Sequence, residues 1–174
     1  MSVKVCISGL TGSGKTTAAE HLAKLLGVPH IAFSMKDEAK ARGISIVELQ
    51  EIAARDSRID LEFDKRQEEE MKKHQSFVTS TWLGAWIADA DLNVWLYADD
   101  EVRARRVAGR DGMPVEEARK MMLKKDAQNV ERYLKLYGIN IADTGKFHLC
   151  INSGLLPPDK IAAMIARCLE EIKR

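Results

Sequence analysis

A glycine-rich segment near the start of the chain sets the strongest limit on its fold. Residues 9–16 read Gly-Leu-Thr-Gly-Ser-Gly-Lys-Thr and fit the pattern G-x-x-x-x-G-K-[ST]. The β-branched run at residues 3–8 predicts a strand before it, and the apolar spacing of residues 16–26 predicts a helix after it. A glycine-rich turn in this position presents backbone N–H groups and a positive helix end to an anion. The sequence therefore predicts a nucleotide-binding phosphate loop.

Individual residues of this loop have distinct chemistry. Lys15 can reach the β- and γ-phosphates of a nucleotide, and the Thr16 hydroxyl can ligate Mg²⁺. Thr16 is accordingly the predicted metal ligand. The predicted nucleotide-binding residues are Gly9, Leu10, Thr11, Gly12, Ser13, Gly14, Lys15, Thr16 and Thr17.

Strand-like and helix-like segments alternate along the rest of the chain. Further strands are predicted at residues 30–33, 76–79, 92–97 and 147–151. Helices are predicted at residues 44–75, in two pieces broken near residue 56, and at 99–109, 115–137 and 158–173. This alternation predicts one α/β domain over residues 1–174, a three-layer sandwich in which helices cover both faces of a five-stranded parallel sheet.

Composition limits the classes of partner that the protein is expected to bind. The 174 residues include 27 Lys and Arg against 26 Asp and Glu, a net charge of +1, which argues against nucleic acid as a partner. No apolar run approaches the roughly 18 residues of a membrane span. The three cysteines, Cys6, Cys150 and Cys168, show no C-x-x-C spacing. We expect reduced thiols in a cytoplasmic protein, without a membrane partner, that is a monomer or a small homo-oligomer.

Three arginines recur on one face of a predicted helix and indicate a lid over the phosphates. They are Arg103, Arg106 and Arg110. Glycines and a proline between residues 109 and 114 favour a hinge, so we predict a mobile lid over residues 106–125. The alternative is a solvated helix face whose arginines pair with the acidic residues 99–101. The chain lacks the guanine-reading N-K-x-D motif, which argues against a GTPase.

Several segments together resemble the archaeal-type cytidylate kinases, a group of nucleoside monophosphate kinases. They are residues 9–17, I-D-x-x-x-D-x-R-Q at 59–67, residues 98–110, R-Y-x-x-x-Y-G-I at 132–139, and I-N-S at 151–153. They lie in the same order over nearly the whole chain. The resemblance implies a P-loop kinase fold with a helical lid. It also implies phosphoryl transfer from ATP, with Mg²⁺, to a nucleoside monophosphate acceptor such as CMP or dCMP.

The resemblance also implies roles for individual side chains. Arg106 corresponds to an arginine against the donor adenine, Arg110 to one on the transferring phosphates, and Arg132 to an acceptor-phosphate or transition-state arginine. The candidate catalytic residues are thus Lys15, Arg110 and Arg132. The candidate acceptor-binding residues are Lys36, Asp60, Asp64, Arg66, Trp82 and Lys125.

The predicted acceptor side departs from the family pattern. The family carries an E-G-R-type segment where this chain has Ser80, Thr81 and Trp82, and Lys36 replaces an arginine. Two other functions therefore stay open: a kinase of another small metabolite, and an ATP-binding regulatory protein with weak transfer. Trp82 either stacks on the acceptor or packs in the core. Asp60 and Asp64 either bind the acceptor or form a solvated face.

Overall fold

Strands and helices alternate in the structure as the sequence predicts. The computed structural model describes residues 2–172, apart from the side chains of Gln50 and Ala54. The strands are β1 (Lys4–Ser8), β2 (His30–Ile31), β3 (Phe77–Ser80), β4 (Leu92–Tyr97) and β5 (Leu149–Asn152). The helices are α1 (Lys15–Leu26), α2 (Met35–Arg42), α3 (Ile46–Arg55), α4 (Arg58–Lys72), α5 (Gly84–Ile87), α6 (Asp100–Asp111), α7 (Val115–Tyr137) and α8 (Pro158–Ile172), with a 3-10 turn at Thr144–Lys146.

The strands form one parallel sheet in the order β2-β3-β1-β4-β5. In the register of the central strand, Ile7 lies between Ser80 of β3 and Val94 of β4. Parallel strands bring their carboxyl ends to one edge of a sheet, where ligands of such folds bind. The loop that follows β1 therefore occupies the middle of that edge.

Helices cover both faces of the sheet, which confirms the predicted layered α/β fold. Successive side chains of a strand point to opposite faces. Val5 and Ile7 pack in the core that includes α1 and α8, whereas Cys6 packs in the cluster that includes Met71 of α4 and Ala88. All three side chains are fully buried. The central strand is thus apolar on both faces, as a buried parallel strand should be.

Most predicted elements are found, with shifted ends. The predicted break near residue 56 is confirmed, because Asp56 ends α3 and its Oδ1 accepts the Arg58 N–H at 3.0 Å. The strand predicted at 30–33 is shorter, since only His30–Ile31 pairs with β3. Helix α8 ends at Ile172, and the predicted end at residue 173 lies outside the described residues. Within residues 2–172, no helix has both the length and the apolar character to cross a membrane.

Candidate active site

The glycine-rich loop joins β1 to α1 and packs tightly against its neighbours. Gly12 has φ +76, and a Cβ built there would lie 2.8 Å from the Arg103 carbonyl oxygen of α6. A Cβ on Gly9 would lie 2.3 Å from the Leu96 carbonyl oxygen of β4. Only glycine allows these close approaches. The loop thereby brings its backbone N–H groups to the amino end of α1, where an anion is favoured.

Lys15 is the first residue of α1 and is half-buried under the loop. Its Nζ lies 3.4 Å from the Leu10 carbonyl oxygen and 5.0 Å from the ring centroid of Trp82. Burial, followed by the charge of Lys125, lowers the pKa of Lys15 to about 8, although Asp126 opposes this shift. The ammonium group lies in a cleft rather than at the open surface, as a group that binds phosphate should.

A cleft of about 570 Å³ opens beside the loop. One wall is the start of α1, including Thr16 and Thr17, and another is α6, including Arg106 and Arg110. The segment 156–158, before and at the start of α8, adds an apolar rim of Leu156 and two prolines. The cleft therefore combines a phosphate-binding floor with an apolar mouth, which suits the two ends of a nucleotide.

The arginines of α6 do not all face this cleft. Arg106 donates to Ser153, to Oγ at 3.0 Å and to the carbonyl oxygen at 2.7 Å. Ser153 Oγ in turn donates to the Ser13 carbonyl oxygen at 2.7 Å. Arg110 is paired with Asp111 at 2.6 Å and lines the cleft. Arg103, in contrast, is only 3% exposed and is bonded to protein groups, so the grouping of three lid arginines is wrong for this residue.

Asp60 and Asp64 are buried on α4, so the alternative of a solvated face is wrong. Asp60 accepts a hydrogen bond from Arg132 of α7, whose guanidinium carbon lies 4.2 Å from the Tyr133 ring centroid. Asp64 accepts from the Tyr137 hydroxyl at 3.0 Å, and burial raises its pKa to about 6 against the opposing charge of Arg132. These charged groups form a second polar site between α4 and α7.

The remaining acceptor candidates are charged side chains on α2, α4 and α7. Arg66 is bonded to Glu38 of α2, which also accepts from Arg42 Nε at 2.5 Å. Lys36, at the start of α2, is exposed. The pKa of Lys125 is lowered, first by desolvation and next by the charge of Arg110, and Lys36 adds a smaller lowering. The cations of α2, α6 and α7 are therefore close enough to influence one another, and the Asp111 carboxylate lies among them.

The end of β3 and the residues that follow it, Ser80, Thr81 and Trp82, carry no carboxylate. Ser80 Oγ lies 3.0 Å from His30 Nε2, and Thr81 Oγ1 donates to Gln67 Oε1 at 2.8 Å. Trp82 is half-buried and packs with the cluster of Leu83, Tyr133 and Ile141. The sequence suggested that Trp82 either stacks on the acceptor or packs in the core. Neither alternative included the contact between Trp82 and Lys15.

The residues around the loop suit a metal ion that binds together with its nucleotide. Across residues 2–172, no group of three His, Cys, Asp or Glu side chains is arranged to hold a metal ion. The Thr16 side chain is exposed to the cleft. Mg²⁺ commonly keeps several waters and takes the rest of its ligands from substrate phosphates and one or two side chains. The Thr16 hydroxyl therefore fits Mg²⁺.

Asp126 is a polar residue of this region that sequence reasoning missed. It lies on α7 and accepts from the backbone N–H of Thr11 at 3.0 Å. The available signal is its spacing, because Asp126 follows Met122 by four residues and Ala118 by eight, and all three are buried. An ionisable residue on the buried stripe of a helix needs a partner, which the sequence alone does not name.

Comparisons with known proteins agree with this geometry. A model of the cytidylate kinase-like family matches residues 4–155. The cytidylate kinase of Pyrococcus abyssi is 37% identical over 170 residues, covering 97% of this chain and 94% of the relative. That of Ignicoccus hospitalis is 38% identical over 169 residues, covering 95% and 98%. Full-length agreement at this identity extends well beyond the phosphate loop.

Solved structures share the fold at lower identity. An uncharacterized protein from Eubacterium ventriosum superposes with a TM-score of 0.71 at 21% identity, covering 97% of this chain and 98% of the other. A shikimate kinase from Acinetobacter baumannii superposes with a TM-score of 0.64 at 17% identity, covering 98% and 94%. The phosphate loop, the parallel sheet and the full-length relatives lead to one conclusion: the chain belongs to the cytidylate kinase-like family.

Proposed function

We propose that this protein transfers the γ-phosphoryl group of ATP to a cytidine monophosphate, CMP or dCMP, and releases the diphosphate and ADP. One observation carries the proposal. A lysine-bearing phosphate loop and a second, charged site between α4 and α7 both contact one aromatic cluster, Lys15 through Trp82 and Arg132 through Tyr133. A donor and an acceptor bound at two such sites would meet at the end of β3. The full-length cytidylate kinase relatives favour CMP as the acceptor.

The donor occupies the cleft beside α1. The backbone of residues 9–17 binds the phosphates, and Lys15 reaches from the first turn of α1 toward the β- and γ-phosphates. Arg106 lies against the adenine, at the apolar mouth of the cleft. Mg²⁺, held on the protein by Thr16, would neutralise phosphate charge when bound.

The acceptor occupies the site between α4 and α7. The carboxylates of Asp60 and Asp64 can accept hydrogen bonds from the amino and hydroxyl groups of a nucleoside. Trp82 provides a ring on which its base can stack. Lys36, Arg66 and Lys125 surround its phosphate. Arg66 is bonded to Glu38 and Arg132 to Asp60, so an incoming phosphate competes with these carboxylates for the guanidinium groups. Until the acceptor arrives, the carboxylates of Glu38 and Asp60 keep the guanidinium groups of Arg66 and Arg132 paired.

Catalysis consists of positioning and charge stabilisation. A phosphate acceptor is already anionic at neutral pH, so the protein needs no strong general base. Lys15, Arg110 and Arg132 approach the transferring group from α1, α6 and α7, and they stabilise the negative charge that spreads over its oxygens. Closure of residues 106–125 would exclude water and align the two substrates.

An acceptor screen tests the proposed function. Each nucleoside monophosphate is supplied with ATP and Mg²⁺, and formation of the diphosphate and of ADP is measured for every acceptor. CMP and dCMP should be converted with the highest kcat/KM, and adding CMP should raise ADP formation above the hydrolysis seen with ATP alone. The proposal would be contradicted if no nucleoside monophosphate raised ADP formation above that seen with ATP alone.

A further inference from the structure

Two buried side chains hold both backbone polar groups of Thr11. The Thr11 N–H donates to Asp126 Oδ1 at 3.0 Å, and Arg103 Nη1 donates to the Thr11 carbonyl oxygen at 2.9 Å. The same Nη1 donates to Asp126 Oδ2 at 2.6 Å, which closes a ring of three bonds. We name the pair Arg103 and Asp126 the Thr11 bracket.

The bracket is nearly sealed from solvent, since Arg103 is 3% and Asp126 is 6% exposed. A third bond, from Arg103 Nη2 to Asp100 Oδ1 at 2.6 Å, further satisfies the guanidinium. A buried ion pair often stabilises a protein no better than apolar residues of the same volume would. Stability alone therefore gives little reason for charges here, and their shared contact with Thr11 gives a better one.

Thr11 stands at the turn on which the phosphate loop depends. It directly precedes Gly12, whose φ of +76 and close approach to the Arg103 carbonyl leave little room for movement. The loop N–H groups point at a phosphate only in this backbone conformation. An error of about 1 Å in a binding group can cost on the order of 100-fold in rate.

We infer that Arg103 and Asp126 are positioning residues that fix the phosphate loop for ATP through the backbone of Thr11. This inference rests on the proposed function, because it assumes that ATP is the loop ligand. Asp126 bonds to Thr11, and Arg103 to both, so the pair acts through the loop rather than by touching the nucleotide.

The bracket also limits which part of the chain can move as a lid. Arg103 lies on α6 just before the predicted lid of residues 106–125, and Asp126 lies on α7 just after it. Both ends of the lid are therefore anchored to the loop that holds the donor phosphates. Closure moves the segment between these anchors while the loop keeps its shape.

Arg103→Lys and Asp126→Asn test the bracket, with Arg105→Lys as the matched control. Arg105 lies on the same helix but is exposed, in a surface pair with Glu101 at 3.0 Å. Calorimetry gives the Kd for ATP with Mg²⁺, and initial rates give the KM for CMP. Both bracket variants should bind ATP about tenfold more weakly, close to 1.4 kcal/mol, with the KM for CMP within about twofold of wild type. The control should match wild type.

The sign of the Asp126→Asn effect separates positioning from simple electrostatics. Removing a negative charge near Lys15 should strengthen the binding of an anion if charge alone mattered, whereas loss of loop geometry should weaken it. The double variant should bind ATP no more weakly than the weaker single variant, because either change opens the same ring. A lower melting temperature with ATP affinity unchanged in both single variants would overturn the inference.

Amide exchange in the wild-type protein tests whether Asp126 holds the Thr11 N–H, even if the variants fail to fold. The Thr11 N–H, followed by NMR without ligand, should exchange at least tenfold more slowly than the amides of Glu116 and Glu117, which are exposed in the first turn of α7, where no side chain caps the helix. Exchange of Thr11 as fast as that turn would overturn the inference. Wild-type protein that binds no ATP would contradict the proposed function instead, and the Thr11 amide would still test the bracket.

Discussion

Lys15 is the residue whose removal should affect transfer most directly. It starts α1, and its only hydrogen bond among the described contacts is a long one, 3.4 Å, to the Leu10 carbonyl oxygen. Lys15→Ala should reduce kcat by on the order of 10²-fold or more, as expected for the loss of one preorganised charge. Steady-state kinetics with ATP and CMP measure the loss.

A second lysine of the same helix controls for charge and helix propensity. Lys24 lies in the last turn of α1 and is exposed, so Lys24→Ala should keep wild-type kinetics. Both variants should show the far-UV circular dichroism of the wild type. A folded Lys15→Ala variant with wild-type turnover would contradict the site assignment.

Trp82 should affect the acceptor more than the donor. Its ring packs on the cluster of Tyr133 and Ile141, and Lys15 Nζ lies 5.0 Å from its centroid. Trp82→Leu keeps apolar bulk but removes the aromatic face, so we expect the KM for CMP to rise about fivefold, which corresponds to a stacking contact of ~1 kcal/mol. ATP affinity should stay equal or increase slightly, because Lys15 leaves the ring when it binds phosphate.

Trp82→Phe is the matched control, since it retains an aromatic face and should keep the KM for CMP within about twofold. Thermal unfolding of both variants is measured alongside the kinetics. If Trp82→Leu only lowers the melting temperature and leaves the KM for CMP unchanged, Trp82 is a packing residue and not part of the acceptor site.

The roles of single residues could be predicted where the residues belong to one continuous motif. They were missed where a residue's partner lies far away in the chain. Lys15 and Thr16 belong to a continuous motif, and the structure places both at the cleft. Arg103 shares the helical spacing of Arg106 and Arg110, yet its partner Asp126 lies 23 residues away. Arg66 is tied to Glu38 at a separation of 28 residues. Periodicity identifies a face of a helix but not the residue opposite it.

At the scale of elements, the candidate for movement is the segment formed by the end of α6, the turn after it and the first half of α7. We expect residues 106–125 to exchange amide hydrogens quickly without ligand and slowly with a bisubstrate analogue, because closure places Arg106 and Arg110 over the phosphates. Exchange followed by mass spectrometry measures this. The core strand β1 is the internal reference and should exchange equally in both states. Equal protection of residues 106–125 in both states would remove the lid from the mechanism.

The contact between α4 and α7 should make stability depend on pH. Burial raises the pKa of Asp64 to about 6 from an ordinary 3.8, so the folded protein holds a proton that the unfolded chain releases. The contribution of Asp64 to stability is therefore full below about pH 4 and is lost as pH rises through 6. Asp64→Asn should abolish this loss and melt a few degrees higher than wild type at pH 7, since ~1 kcal/mol corresponds to about 2–4 °C.

Asp56 provides a control, because its pKa is shifted in the opposite direction to that of Asp64. Hydrogen bonds from Arg58 lower the pKa of Asp56 to about 2, so its contribution is present above about pH 4 and lost as pH falls through 2. Melting temperatures of Asp64→Asn, Asp56→Asn and wild type are compared between pH 2 and 7, so that both titrations fall inside the range. An Asp64→Asn curve parallel to that of wild type would contradict a protonated Asp64 in the folded protein.

Elements with strong periodicity were predicted well, whereas two short helices, α2 and α5, were missed. The long α7 ends at Tyr137 as predicted, and Gly138, with a φ of +66, caps it. Helix α2 was missed because its 8 residues are mostly polar and show little apolar periodicity. What starts it is a local cap, in which Ser34 Oγ accepts from the Asp37 N–H at 3.2 Å. Helix α5, with 4 residues, is set by packing against β1 rather than by its own sequence.

At the scale of the whole molecule, alternation of strands and helices predicted a parallel sheet but not its strand order. The order β2-β3-β1-β4-β5 places β1 in the centre, between β3 and β4. The short β2 pairs only with β3, and the acceptor candidates of α2 and α4 follow it in the chain. Strand order depends on which apolar faces meet in the folded state, and this information is spread over the whole chain.

Because the phosphate loop joins the central strand to α1 and is held by α6, α7 and the end of β5, ligand binding there should stabilise the entire domain. Ser13, Thr11 and Gly12 provide those contacts. ATP with Mg²⁺ at 100 times its Kd should stabilise the fold by about 2.7 kcal/mol, which raises the melting temperature by roughly 5–10 °C in a chain of this size. Differential scanning calorimetry at several ATP concentrations measures the shift. Lys15→Ala should show a much smaller shift at the same ATP concentrations, and a wild-type melting temperature unmoved by millimolar ATP would contradict nucleotide binding at this loop.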